Sequence, residues 1–177
     1  MTAIVAAAAL AMAGPSIVVN DLNGKKIRLP IAGKPTVLFI VGTECPIANR
    51  MAPELKRIVT DYKGIAYFFV YSEKNLTPVS VRKHLRDFSI KSTGLLDSRF
   101  IIAKFAKARV TPEAALFDAT GNMVYHGRIN DSYVEHNVPR ETAVKHDLRK
   151  AISEMLNKEP VANPFVPAVG CPIPYED

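Results

Sequence analysis

Two stretches of the chain carry almost uninterrupted apolar character: TVLFIV at residues 36–41 and AYFFVY at residues 66–71. Short runs of this kind, rich in β-branched and aromatic residues, predict strands covered on both faces. Between them the period changes. Ile47, Met51, Leu55, Ile58 and Val59 recur at helical spacing, which predicts a helix over residues 47–62, stopped by Lys63-Gly64. Upstream, residues 16–19 and 26–29 read as two short strands around an Asn23-Gly24 turn. Downstream, Thr77-Pro78 supplies a cap and a first-turn proline for a helix reaching about Phe88. A short strand at 94–96 precedes a helix at 98–108 with Phe100, Ile101, Phe105 and Ala108 inward. Residues 114–117 and 123–127 then form an antiparallel hairpin about a loop at 118–122, and a last helix covers 141–156. Beyond Glu159, Pro160, Pro164, Pro167, Pro172 and Pro174 exclude regular helix and leave an extended tail. Alternating strands and helices followed by an antiparallel pair predict an α/β fold, a mixed central sheet with helices on both faces.

Length and composition fit this picture. The 177 residues, 48% hydrophobic and 23% charged, suffice for one domain with its own core. The formal charge of +6 is spread along the chain without a basic stripe interleaved with aromatics, so no nucleic-acid partner is expected. There is no apolar run long enough for a membrane span. Residues 1–14, MTAIVAAAALAMAG, end in a small-x-small pattern without a basic leader, the expected remnant of a signal peptide. The predicted organisation is therefore 1–14 as that remnant, 15–157 as the domain and 158–177 as the proline-rich tail. Export implies a periplasmic or secreted protein; a terminus without a targeting role implies a cytoplasmic one.

The candidate chemistry rests on two cysteines. Cys45 ends a buried strand and stands just before Pro46, which opens a helix. A thiol there faces free N–H groups and the positive end of the helix dipole, which favour the reactive thiolate. Glu44 acts in the opposite sense. The bland alternative is a small buried hydrophobe. Cys171, in the tail, could pair with Cys45 as a redox couple or a structural bridge, or remain unrelated. The roughly 15 extended residues before it span about 45 Å, enough to cross a small domain or reach a second subunit. Two cysteines are too few for a four-thiolate zinc site, and no nucleotide fingerprint or flavin site is evident, so neither metal nor cofactor is expected. Thr111-Pro112, between a helix and a strand, is compatible with a cis peptide bond.

The succession of a buried strand into GTECPIANRMAPEL, then AYFFVYSE, V-T-P before a hairpin, and YHGRIND resembles the thioredoxin-like superfamily, and within it redoxin domains of the alkyl-hydroperoxide-reductase/thiol-specific-antioxidant, peroxiredoxin-like group. The resemblance covers residues 15–157. It implies a thioredoxin-like fold with Cys45 as the active-site cysteine and Pro112 as a cis-proline facing it, leaving a backbone edge beside Thr111 for an incoming peptide. Arg128, in a Gly-Arg-Ile-Asn-Asp sequence, becomes either a thiolate-stabilising group or a salt-bridge residue, and His126 an ordinary strand residue. The departures are informative. Neither 42–45 nor 45–48 makes a C-x-x-C. Leu38 and Gly42 stand where a peroxiredoxin has its Pro and Thr, with Thr43 one position off, and Asn49 replaces the second cysteine of a copper-assembly C-x-x-x-C motif. The expected function is thiol–disulfide exchange: Cys45 as nucleophile, Cys171 of the same or a partner chain as resolving cysteine, a protein thiol or disulfide as partner and an external dithiol as reductant. The alternatives are a thiol peroxidase acting on a small peroxide, with Thr43 and Arg128 replacing the usual groups, and a non-catalytic binding module stapled by a disulfide.

Overall fold

A computed structural model describes residues 14–135 and 138–175. Most of the expected leader remnant, residues 1–13, lies outside the described residues. The first two strands, β1 (Ile17–Asn20) and β2 (Lys26–Leu29), pair antiparallel as a separate ribbon. The central sheet begins with β3 (Thr36–Val41), followed by α1 (Pro46–Asp61), β4 (Ala66–Tyr71), α2 (Pro78–Asp87), β5 (Thr93–Leu96) and α3 (Ile101–Phe105). Then come β6 (Val110–Thr111), β7 (Glu113–Phe117), β8 (Met123–Gly127), the small pair β9 (Tyr133–Glu135) and β10 (Val138–Pro139), and α4 (Asp147–Leu156). Two further strands, β11 (Phe165–Val166) and β12 (Cys171–Pro172), lie in the tail.

The main sheet runs β11-β8-β7-β3-β4-β5, with β3, β4 and β5 mutually parallel and β7 antiparallel to β3 and β8. All six residues of β3 are buried because it is central and covered twice. Its alternate side chains enter two cores: Val37, Phe39 and Val41 pack with α1 and α4, and Leu38 and Ile40 with α3 and the first ribbon. Val81 of α2 joins the first core, as right-handed crossovers between neighbouring parallel strands require. The predicted stripe of α1 is buried at Ile47, Met51, Leu55 and Ile58. Each such side chain contributes about 1.5–3 kcal/mol when fully withdrawn from water. Glu54 is also buried, and ties α1 to α4 through Arg149 at 2.6 Å.

Two helices differ from the sequence-based expectation, and the tail, extended as expected, gains pairing partners that the sequence did not predict. The third helix spans five residues rather than 98–108. The Asp97 carboxylate accepts the N–H groups of Ile102 and Ala103, and Phe100 enters with a left-handed φ of 57°. That cap moves the helical phase, so Ile101 points outward at 43% exposure and Ile102 takes the core position. The last helix starts at Asp147 rather than 141, because Asp131 accepts the N–H groups of Val144 and Lys145 and holds that stretch against the 130s loop. The tail is extended, as its prolines demand, but it is not a loose strap. β11 adds in parallel to the edge strand β8, and β12 pairs antiparallel with β6.

Candidate active site

The end of β3 passes through Gly42-Thr43-Glu44 into α1, whose N-cap is Cys45. The cap backbone is extended, Pro46 occupies the first turn, and the Cys45 Sγ accepts the Ala48 N–H at 3.4 Å. A sulfur thus fills the position usually held by a serine or aspartate oxygen. Cys45 is 5% exposed. Facing it is the Thr111–Pro112 peptide bond, which is cis, and the protonated Cys45 thiol donates to Thr111 O at 3.1 Å. β12 lays Cys171 directly opposite Thr111 in register, which brings the second sulfur against the first. Both cysteines are free thiols.

The electrostatics of the two sulfurs are opposite. Burial pushes the Cys45 thiol up, but the Cys171 thiol, the Thr111 hydroxyl and the N–H groups of Ala48 and Cys171 outweigh it, so its pKa lies below the usual thiol value. Cys171 is pushed up to about 12, by burial first, then by its bond to the Cys45 sulfur and the charge beside it, with Glu73 adding to the effect. The two shifts order the pair: Cys45 gives up its proton before Cys171 does, and the negative charge, once formed, is favoured on Cys45. The Ile47 N–H points at the Cys171 sulfur, so the first turn of α1 serves both atoms. The thiol that ionises first is the more readily available attacking form.

The shallow cleft here, about 200 Å³, is bordered by Gly42, Glu44, Cys45, Ser72, Glu73, Thr111 and residues 171–174. Glu44 is exposed at its mouth. Thr43 turns away: its N–H and its hydroxyl both donate to Glu73, the hydroxyl at 2.9 Å. The space at Gly42, three positions before Cys45, is tight for a side chain. A Cβ there would lie 3.2 Å from both the Cys45 Cβ and the Thr111 Oγ1, and 3.4 Å from Glu73. Arg128 is committed elsewhere, paired with Asp147 at 2.6 Å through its Nε and a second bond through Nη2, and it does not border the cleft. Of the expected residues, the structure gathers Cys45, Cys171, Glu44, Pro46, Thr111 and Pro112. It assigns Thr43 to loop anchoring and Arg128 to the β8–α4 junction. His126 is a strand residue stacked on Phe165, 4.6 Å between ring centroids.

No family model matches the chain. It is similar to the thiol-disulfide oxidoreductase ResA of Bacillus cereus, 26% identical over 111 residues, which is 62% of this chain and 64% of the relative. It thus spans less than two thirds of the length of that curated protein. Among solved structures, a hypothetical protein from Sinorhizobium meliloti superposes with a TM-score of 0.78 at 23% identity, covering 92% of both chains. A secreted Mycobacterium tuberculosis disulfide oxidoreductase homologous to E. coli DsbE superposes with a TM-score of 0.57 at 16% identity, over 77% of this chain and 94% of that one. The fold is thioredoxin-like. Within this thioredoxin-like frame the helix-capping cysteine and the cis-proline occur where the sequence resemblance placed them, on facing loops.

Sequence reasoning missed Glu73 and the anchoring of the tail. Glu73 follows β4 closely, and the carboxyl ends of parallel strands are where sites collect in open α/β sheets; that position was the available signal. It also missed Glu113, which follows Pro112. Its buried carboxylate accepts the Arg109 and Val110 N–H groups, the latter at 3.0 Å, and so shapes the loop that carries Thr111. A further buried chain fixes the Cys45 loop from below. Asn49 donates to Thr43 O at 3.0 Å, its oxygen accepts His84 Nε2 at 2.8 Å, and His84 Nδ1 then accepts the Tyr71 hydroxyl at 3.0 Å. The amide oxygen can only accept, so this network selects the Nε2–H tautomer of His84.

Proposed function

We propose that this chain is a thiol–disulfide oxidoreductase in which Cys45 is the nucleophile and Cys171 the resolving cysteine. The Cys45 thiolate attacks one sulfur of a substrate disulfide, forming a mixed disulfide and releasing the other sulfur as a thiolate. Cys171 then loses its proton and attacks the Cys45 sulfur. The Cys45–Cys171 disulfide forms, the second substrate sulfur departs as a thiolate, and two electrons have passed from the chain to the substrate. An external dithiol then reduces this disulfide and regenerates the pair. The observation that carries this reading is the placement of the two free sulfurs together at the N-terminus of α1, with Cys45 as the helix cap and Cys171 brought against it by β12, and with the Cys45 thiol the easier of the two to ionise.

Peroxide reduction has weaker support. Thr43 is bound to Glu73 and Arg128 to Asp147, so neither is aimed at a molecule standing over Cys45. Protein thiols or disulfides are the proposed partners, by analogy with ResA and the M. tuberculosis protein. The same analogy, with the small-x-small pattern near the N-terminus, supports an extracytoplasmic location. Among the described residues no helix is long and apolar enough to cross a membrane.

The test is reductive turnover of a disulfide-linked peptide with dithiothreitol as electron donor. The reduced chain should accelerate it, Cys45→Ser should abolish the acceleration, and Cys171→Ser should accumulate the mixed disulfide. Acceleration that survives Cys45→Ser, or no acceleration at all, overturns the proposal.

A further inference from the structure

In the described structure, the backbone edge next to the cis-proline is already taken. Cys171 faces Thr111 and Pro172 faces Val110 in antiparallel register. Ile173 N–H donates to Arg109 O at 3.0 Å, and the Tyr175 hydroxyl donates to Ala108 O at 2.5 Å. Side chains lock the same segment. Ile173 is buried against the α3-side core, and the Tyr175 ring meets Phe100 edge-on with the Lys104 ammonium 5.7 Å above it. Gly170 lies so close to the edge that an added Cβ would stand 2.2 Å from Thr111 O. The stretch from Ala108 to Thr111 is thus occupied by the chain's own Gly-Cys-Pro-Ile-Pro-Tyr, with its cysteine against Cys45.

Resting on the function proposed above, we infer that residues 170–175 are an internal stand-in for the substrate, and that a protein partner docks by displacing them. The tail defines the partner's chemistry: an extended segment, added as an antiparallel strand, with a very small residue against Thr111 O, a cysteine next, and an apolar side chain two residues later to fill the Ile173 site. Strand addition supplies the affinity, and the side-chain sites at alternate positions supply the selection. Docking of the tail and of the partner are mutually exclusive, so the occupied edge lowers the chain's apparent affinity for partners in proportion to the fraction of time the edge is free. The same element that resolves the mixed disulfide also returns to close the edge once the product leaves.

The test uses the full chain and a fluorescent peptide of the 168–175 sequence with serine in place of its cysteine, which cannot take part in thiol exchange. Gly170→Val drives a side chain into Thr111 O and should unseat the tail without removing either cysteine. Anisotropy should show the peptide binding at least tenfold more tightly to Gly170→Val than to the unaltered chain. Hydrogen exchange should show the Ile173 amide losing protection. A second variant, Ile173→Asp with Tyr175→Ala, removes the two anchors and should give the same gain. An unchanged peptide affinity in either variant once the backbone amide at position 173 has lost protection overturns the inference, and so does a tail that stays protected in both variants. Because the probe carries no thiol, binding with a slow Cys45 alkylation rate would sink the exchange chemistry alone, and rapid alkylation without binding would sink the docking inference alone.

Discussion

Replacing Cys171 by alanine removes the side-chain donor that faces the Cys45 sulfur while leaving the Ala48 N–H and the helix terminus in place. A hydrogen bond to a charged acceptor contributes about 1.5–3 kcal/mol, and each 1.36 kcal/mol is one pKa unit. Full loss would therefore raise the Cys45 pKa by about one to two units. Water entering the space left by the thiol restores part of the interaction, which places the expected rise near the lower figure, about one unit. The sign follows from the charge state: the lost donor favoured the thiolate, so the pKa moves up and the thiolate fraction at neutral pH falls by up to about tenfold. Cys171→Ser keeps a hydroxyl donor at the same place and should shift Cys45 by less than half as much. The assay is the pH dependence of ultraviolet thiolate absorbance, checked by the pH profile of iodoacetamide labelling. An alanine variant that titrates with the unaltered protein, or alanine and serine variants that shift equally, would refute the assignment of the Cys171 thiol as the stabilising donor.

Three more outcomes test other parts of the account. Arg128→Ala breaks the pair with Asp147 and should cost about 1 kcal/mol in urea denaturation while leaving the Cys45 labelling rate unchanged; a slower rate would return Arg128 to the active site. Gly127→Ala should cost more than about 2 kcal/mol and expose the Arg128 amide to exchange, because φ is 130° there and a Cβ would stand 2.0 Å from Val166 O. Glu54→Gln should flatten the acid limb of the stability profile. Burial pushes the Glu54 carboxyl up, but Arg149 and Arg57 pull it further down, below its ordinary value. Its contribution is therefore present above the unfolded-state value of about 4.3 and lost as pH falls through the lower folded value. The variant should cost about 1–2 kcal/mol at neutral pH and less at low pH, measured by urea melts across the acid range.

The parts of this molecule legible in the sequence are those governed by local pattern. β3 and β4 are continuous apolar runs because both faces are covered, and α1 shows its stripe and its proline-marked start. Cys45 was legible for the same reason, since strand, cysteine and Pro46 are near neighbours in the chain. Elements set by distant groups were not. Residues 98–108 carry an apolar pattern compatible with three turns of helix, but the Asp97 cap, held by Ser72 at 3.0 Å, begins the helix late and shifts its phase. The start of α4 is decided by Asp131, well over ten residues upstream. Arg128 sits in a suggestive sequence, yet its partner lies 19 residues away on another element. Composition predicted the tail's extended form. Its register against β6 depends on the burial of Ile173, the anchoring of Tyr175 and the closeness allowed by Gly170, none of which has a local signature.

The most direct test of the central claim is a disulfide map of the reduced chain after equilibration in glutathione redox buffers. Cys45 should accept glutathione transiently, and the product at equilibrium should be a Cys45–Cys171 bond within one chain, formed and broken reversibly as the buffer potential is stepped. Glutathione that stays on Cys45 without transfer to Cys171, or labelling that reaches Cys171 first, would contradict it.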